Sequence, residues 1–227
     1  MTLPDPKSRP LVVFTDLDGT LIDHQTYSPA GSMAAVRRLV QAGIPLVFCS
    51  SKTFAEQVFI QEQIGILQPF ILENGCAAAI PHGFFPPDLY SPSRRQGNWD
   101  IVVFAHADVT EIYHLLAPMP EIKGFATTED AEMSAATGLV SDDLGRARSR
   151  WFTETILTKF DEKSRALLDD TLQAYGFCMV KGGRFYTIQS ARANKGNAVR
   201  WMMEIFCHDA SEKPCFAAVG DSPNDIP

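Results

Sequence analysis

Between Pro10 and Ile80, short unbroken apolar runs alternate with amphipathic helical patterns, and few architectures accept that order. "LVVFT", "IPLVFCS" and the start of "PFILENG" are apolar without alternation, so both faces of each strand must be covered. Between them lie "SMAAVRRLVQAG" and "TFAEQVFIQEQIG", helical in spacing and closed by Gly43 and Gly65. Successive strands joined by helices require right-handed crossovers and a parallel sheet. The fold class expected is α/β, a Rossmann-like parallel-sheet core.

From about Pro81 to Ser190 the texture changes. A Pro-, Gly- and Ser-rich loop precedes strand-like "WDIVVFA" and helical "ADVTEIYHLLA". Then come "WFTETILT", a charged helix "DEKSRALLDDTLQAYG", and "FCMVKGGRFYTIQ", which reads as two antiparallel strands around Gly182-Gly183. This is an inserted α+β module with its own small sheet. The first module resumes with helical "NKGNAVRWMMEIFCHD" and the strand "CFAAVG". The division expected is 1–82 with 190–227 for the core and 83–189 for the insertion.

Composition narrows the partners. A net charge of −7 disfavours nucleic acid and anionic membrane surfaces. No apolar run is long enough to span a bilayer, and "MTLPDPKSRP" is no signal peptide. The five cysteines are scattered without metal-ligand spacing, so the cytoplasm is the expected compartment.

"VVFTDLDGTLID" carries the chemistry. Asp18-Gly19 between apolar runs is a turn signal, and each acid taken alone reads as a solvated loop carboxylate. In a parallel sheet, however, ligands collect at the carboxyl ends of the strands. Three separate strands end at Asp16/Asp18, at Ser50 and at Asp221/Asp225, which brings these residues to one edge. Converging carboxylates repel one another, a divalent cation relieves the conflict, and all-oxygen ligands favour Mg²⁺. Lys195, at the start of the last full helix, neutralises further charge or contacts an anion.

"DLDGT" (Asp16–Thr20), strand-final Ser50, Lys195 in "NKG" and "GDSPND" (Gly220–Asp225) resemble, in order, the four motifs of the haloacid dehalogenase (HAD) superfamily of phosphatases. The resemblance implies a HAD core with an α+β cap and Asp16 as nucleophile forming an aspartyl-phosphate. It implies Asp18 as acid and base, and Ser50 and Lys195 as phosphoryl contacts. Mg²⁺ would sit on Asp16, the Asp18 main-chain carbonyl and Asp221, supported by Asn224 and Asp225. It also implies further helix and strand structure after Asp225, so that 190–227 reads as a truncated end of the core.

More narrowly, "FCSSKT", "ENG", "RWFTET" and "GGRFY" resemble the mannosyl-3-phosphoglycerate phosphatase branch. That implies substrate contacts from Ser51, Lys52, Glu73, Asn74, Glu154, Gly183 and Arg184. Arg184 is the expected bidentate donor to a glycerate carboxylate, although "KGGR" also reads as a two-residue hairpin turn. The substrate expected is mannosyl-3-phosphoglycerate. Glucosyl-3-phosphoglycerate, another sugar phosphate, or a weakly active sugar-phosphate-binding protein are the alternatives.

Overall fold

A computed structural model describes residues 10–105 and 108–221. Its larger sheet has seven strands in the order β10-β1-β2-β3-β4-β6-β5. Strands β1 (Leu11–Thr15), β2 (Leu46–Cys49), β3 (Phe70–Leu72) and β10 (Cys215–Val219) are mutually parallel. Helices α1 (Met33–Gln41) and α2 (Phe54–Ile64) make the first two crossovers, as the alternating pattern requires.

Strands β1, β2 and β3 are apolar throughout because both faces are buried. Val13, Phe48, Phe70 and Leu72 enter one core, while Val12, Phe14, Val47 and Ile71 enter the other. The second core is closed by helix α7 (Lys195–Asp209), which buries Ala198, Met202, Ile205 and Phe206 at helical spacing. Each large apolar side chain buried this way contributes about 1.5–3 kcal/mol.

Strands β4 (Ala77–Pro81), β5 (Arg94–Gln96) and β6 (Trp99–Val103) extend this sheet in antiparallel fashion. "WDIVV" was expected in the insertion, but it pairs with β4 over five residues from Ala77↔Val103 to Pro81↔Trp99. The chain therefore leaves the large sheet after residue 103 rather than near 82. The hairpin falls to the core because Trp99 and Ile101 complete its buried cluster.

The smaller sheet is antiparallel, in the order β7-β9-β8, from β7 (Glu154–Ile156), β8 (Phe177–Lys181) and β9 (Tyr186–Ser190). Ile156, Phe177 and Ile188 pack with Leu168 and Leu172 of α6 (Glu162–Ala174). Three shorter helices complete the insertion: α3 (Val109–Leu116), α4 (Asp130–Thr137) and α5 (Asp142–Arg148). The link between β8 and β9 is not a two-residue turn. Lys181 pairs with Tyr186, leaving a four-residue loop, Gly182–Phe185, closed by Gly182 N–H donating to Phe185 O at 2.9 Å.

Candidate active site

The carboxyl ends of β1, β2 and β10 open onto a cavity of about 130 Å³. Asp16, Asp18, Lys52, Lys195 and Asp221 line it from the core, and Phe125, Arg150 and Arg184 from the insertion. Residue-to-residue register explains the convergence. Thr15 pairs with Val219, and Asp16 N–H donates to Val219 O at 2.9 Å, so the chain segments that follow leave the sheet together.

The turn after β1 forms as the Asp18-Gly19 signal predicts. Gly19 sits at φ 78° and its N–H donates to Ile22 O at 2.9 Å. A Cβ on Gly19 would collide with the Asp221 carboxylate. Absence of that carbon lets Asp221 lie against the Asp16–Gly19 loop.

Lys195 is the first residue of α7, at the positive end of the helix, where a cation is unfavourable. Asp16 offsets this: Lys195 Nζ lies 3.0 Å from Asp16 Oδ1, and both side chains are about nine-tenths buried. The helix start is fixed from two sides. Asn194 caps α7 by accepting from Asn197 N–H at 3.0 Å. Gly75, at φ 88°, touches the Asn194 and Lys195 backbone so closely that no Cβ would fit.

Lys52 carries a second ion-pair set, 3.1 Å from Asp18 Oδ1 and 3.3 Å from Glu56 Oε1. Burial works against its charge, but Glu56 and Asp18 outweigh burial and hold its pKa above the ordinary lysine value. Glu56 is held below the ordinary value: burial opposes ionisation, and Lys52 and Arg150 overcome it. Arg184, in the β8–β9 loop, donates to the Tyr27 hydroxyl and, at 3.1 Å, to Thr137 O. Tyr27 also donates to Thr137 O at 3.1 Å, which ties the core loop after β1 to the end of α4. Gly183 lines the cavity beside His24.

Four of the expected contacts do not reach the cavity wall. Ser50 is 1% exposed, and its Oγ accepts from Lys52 N–H at 3.3 Å; its neighbour Ser51 lines the cavity instead. Glu73 is fully buried and both its oxygens are taken. It accepts from Trp151 N–H at 2.8 Å, Phe152 N–H at 3.0 Å, Thr153 N–H at 2.9 Å and Thr153 Oγ1 at 2.8 Å. Asn74 donates to Gln189 Oε1 at 2.9 Å. Glu154 accepts from Phe125 N–H at 2.6 Å inside the insertion. Burial pushes the Glu73 and Glu154 carboxyls above the usual range. Glu73 and Asn74 instead brace the site: Glu73 N–H donates to Lys52 O at 3.1 Å, and Asn74 N–H to Ser50 O at 3.0 Å. Asn224 and Asp225 lie outside the described residues.

Sequence reasoning missed Tyr27 and Arg150. Arg150 donates to Ser51 O at 3.3 Å and Thr153 Oγ1 at 2.7 Å. Tyr27 meets Thr137, and Arg150 meets Ser51, across about a hundred positions of chain, pairings that only the tertiary fold creates.

Among the described residues no three His, Cys, Asp or Glu side chains are grouped as a ready metal site. The donors nonetheless suit Mg²⁺, which binds through one or two carboxylates and keeps water and substrate oxygens for the rest. The cradle left by Gly19 holds Asp221 on the same cavity as Asp16.

Residues 13–84 match the family model described as haloacid dehalogenase-like hydrolase. The chain is 36% identical over 220 residues to the glucosyl-3-phosphoglycerate/mannosyl-3-phosphoglycerate phosphatase of Persephonella marina, covering 96% of this chain and 80% of that protein. It is 37% identical to the similarly named phosphatase of Methanococcoides burtonii, covering 95% and 80%. A solved structure from Bacteroides thetaiotaomicron, described among phosphatases of the haloalkanoate (HAD) superfamily, matches at TM-score 0.65 with 15% identity, over 100% of this chain and 82% of that one. The chain belongs to the haloacid dehalogenase-like hydrolases and is a phosphoric monoester hydrolase.

Proposed function

We propose that the chain is a Mg²⁺-dependent phosphatase that releases phosphate from mannosyl-3-phosphoglycerate or glucosyl-3-phosphoglycerate. The observation that carries the reading is the Lys195–Asp16 pair at 3.0 Å, facing a cavity whose far wall supplies Arg150 and Arg184. A phosphoglycerate is anionic at both ends, and these cations are spaced around one cavity to meet both. The two curated relatives are named for activity on these compounds.

In this reading an Asp16 carboxylate oxygen forms a bond to phosphorus as the bond to the glycerate oxygen breaks. Asp18 gives the departing alkoxide its proton and then takes one from the water that cleaves the aspartyl-phosphate. Lys195 holds Asp16 in place and offsets charge on the phosphoryl oxygens. Asp16, the Asp18 main-chain carbonyl and Asp221 would hold Mg²⁺, which would supply charge neutralisation and orientation when bound. Ser51 and Lys52 flank the phosphoryl position, and Arg184 takes the glycerate carboxylate, exchanging the Tyr27 hydroxyl for it.

The catalytic core in this reading is 10–105 with 190–221, and 108–189 is the cap that covers it. No helix among the described residues is long and apolar enough to cross a membrane. A cytoplasmic setting suits the scattered cysteines.

The test is a panel of phosphorylated sugars and glycosyl-phosphoglycerates assayed with and without EDTA. We expect turnover of a glycosyl-phosphoglycerate, loss of it with EDTA, and a fall of about 10⁴-fold or more in Asp16→Asn. Rapid hydrolysis of simple hexose phosphates alone would overturn the substrate assignment.

A further inference from the structure

The loop from Ser50 to Lys52, between β2 and α2, brings Ser51 and Lys52 to the reaction cavity. Each of its three carbonyls has a donor. Ser50 O accepts from Asn74 N–H at 3.0 Å and Lys52 O from Glu73 N–H at 3.1 Å, both in the turn after β3. Gln57 Nε2 also donates to Lys52 O at 3.1 Å. Ser51 O accepts from Arg150 Nη1 at 3.3 Å, a donor that the insertion supplies.

That donor is itself held. Arg150 Nη1 carries two N–H groups, and it also donates to Thr153 Oγ1 at 2.7 Å. Thr153 Oγ1 donates in turn to Glu73 Oε2 at 2.8 Å. A closed ring results, running from Ser51 O through Arg150, the Thr153 hydroxyl and the Glu73 side chain, then back through Glu73 N–H to Lys52 O. Glu73, Asn74 and Gly75 have φ of 46°, 59° and 88°. Three successive residues in the left-handed region persist only where the surroundings over-determine them, so the ring is anchored on a stiff turn. Gly75 of that turn abuts the backbone of Asn194 and Lys195.

We propose that Thr153 and Glu73 are positioning residues for the reaction: through Arg150 they transmit the seat of the insertion on the core to the loop that carries Ser51 and Lys52. Arg150 thus has a second duty besides lining the cavity. The inference rests on the reading that this loop flanks the phosphoryl group. It therefore bears on the chemical step, where a misplacement of about 1 Å costs up to about 10²-fold in rate, rather than on recognition of one substrate.

Thr153→Val keeps the side-chain shape and leaves Glu73 its three backbone donors and Trp151 its stack on Phe54, so the fold should hold, as the melting temperature checks. It removes the acceptor for Arg150 and the link to Glu73. We expect kcat to fall about tenfold with both a glycosyl-phosphoglycerate and p-nitrophenyl phosphate, with KM little changed. Thr153→Ser, which keeps the hydroxyl, should recover most of the loss. In an Arg150→Met background, Thr153→Val should lower kcat no further, because the ring is already open. Unchanged kcat in Thr153→Val, a loss confined to the glycosyl KM, an equal loss in Thr153→Ser, or losses that multiply in the double variant would each overturn the inference. A wild-type enzyme that turns over p-nitrophenyl phosphate but no glycosyl-phosphoglycerate overturns the proposed substrate instead, and the variants are then judged on p-nitrophenyl phosphate.

Discussion

Asp16 and Lys195 were legible in the sequence because their positions are set by local rules: a strand end, and a helix start marked by Asn194. Tyr27 and Arg150 were not, because a tyrosine in a loop and an arginine after a short helix carry no local sign of a partner. Tyr27 meets Thr137, and Arg150 meets Ser51, only once the insertion is folded over the core. Glu73 was misread for a related reason. An acid beside a strand end looks like a ligand until the backbone donors of residues 151–153 are seen to occupy both of its oxygens. Gly19 shows how little space the site leaves at residue scale. Gly19→Ala forces φ 78° on an L-residue and drives a methyl group into Asp221. We expect a stability loss of about 1 kcal/mol or more, read by urea unfolding, together with a fall in kcat that exceeds what that instability explains. Wild-type turnover in this variant would refute the close fit.

At the scale of elements, the parallel strands and α2 and α7 follow directly from continuous apolar runs and helical periodicity. The antiparallel hairpin β5–β6 does not, because "WDIVV" says that a strand forms and nothing about which sheet it joins. Helices α4 and α5 also escaped notice: each is under nine residues, and each buries only two side chains, Met133 and Thr137 in one and Leu144 and Ala147 in the other. Helix α2 has its start fixed by side chains. Thr53 Oγ1 accepts from Glu56 N–H at 3.1 Å, and Glu56 Oε2 accepts from Thr53 N–H at 2.9 Å, a reciprocal capping box. The same hydroxyl donates to Arg146 O at 2.8 Å, so the cap of α2 is also a contact with the insertion. Thr53→Ala should cost about 1–2 kcal/mol, measured by denaturant midpoint at constant slope. A change within error of zero would mean that water replaces both bonds.

For the whole molecule, the buried acids link stability to pH. Burial raises the Glu154 carboxyl above 4.5, so the folded protein holds that proton more tightly than the unfolded chain does. Its contribution is full below the unfolded value and is lost as pH rises through the raised one. Glu154→Gln keeps an acceptor for Phe125 N–H but cannot titrate. The variant should therefore gain in melting temperature relative to wild type between acidic and neutral pH, as followed by calorimetry; a difference constant with pH would contradict this. Glu73 bears on the whole molecule in another way. Its carboxylate grips the backbone of residues 151–153, and Phe54 stacks on Trp151 with ring centroids 4.9 Å apart, all on one side of the cavity. On the other side the Tyr27–Arg184–Thr137 contacts join the two halves above the reaction centre. The insertion is thus fastened to the core in two manners: at Glu73 one carboxylate takes three consecutive backbone N–H groups, whereas at Tyr27 the link runs through the side chains of Tyr27 and Arg184.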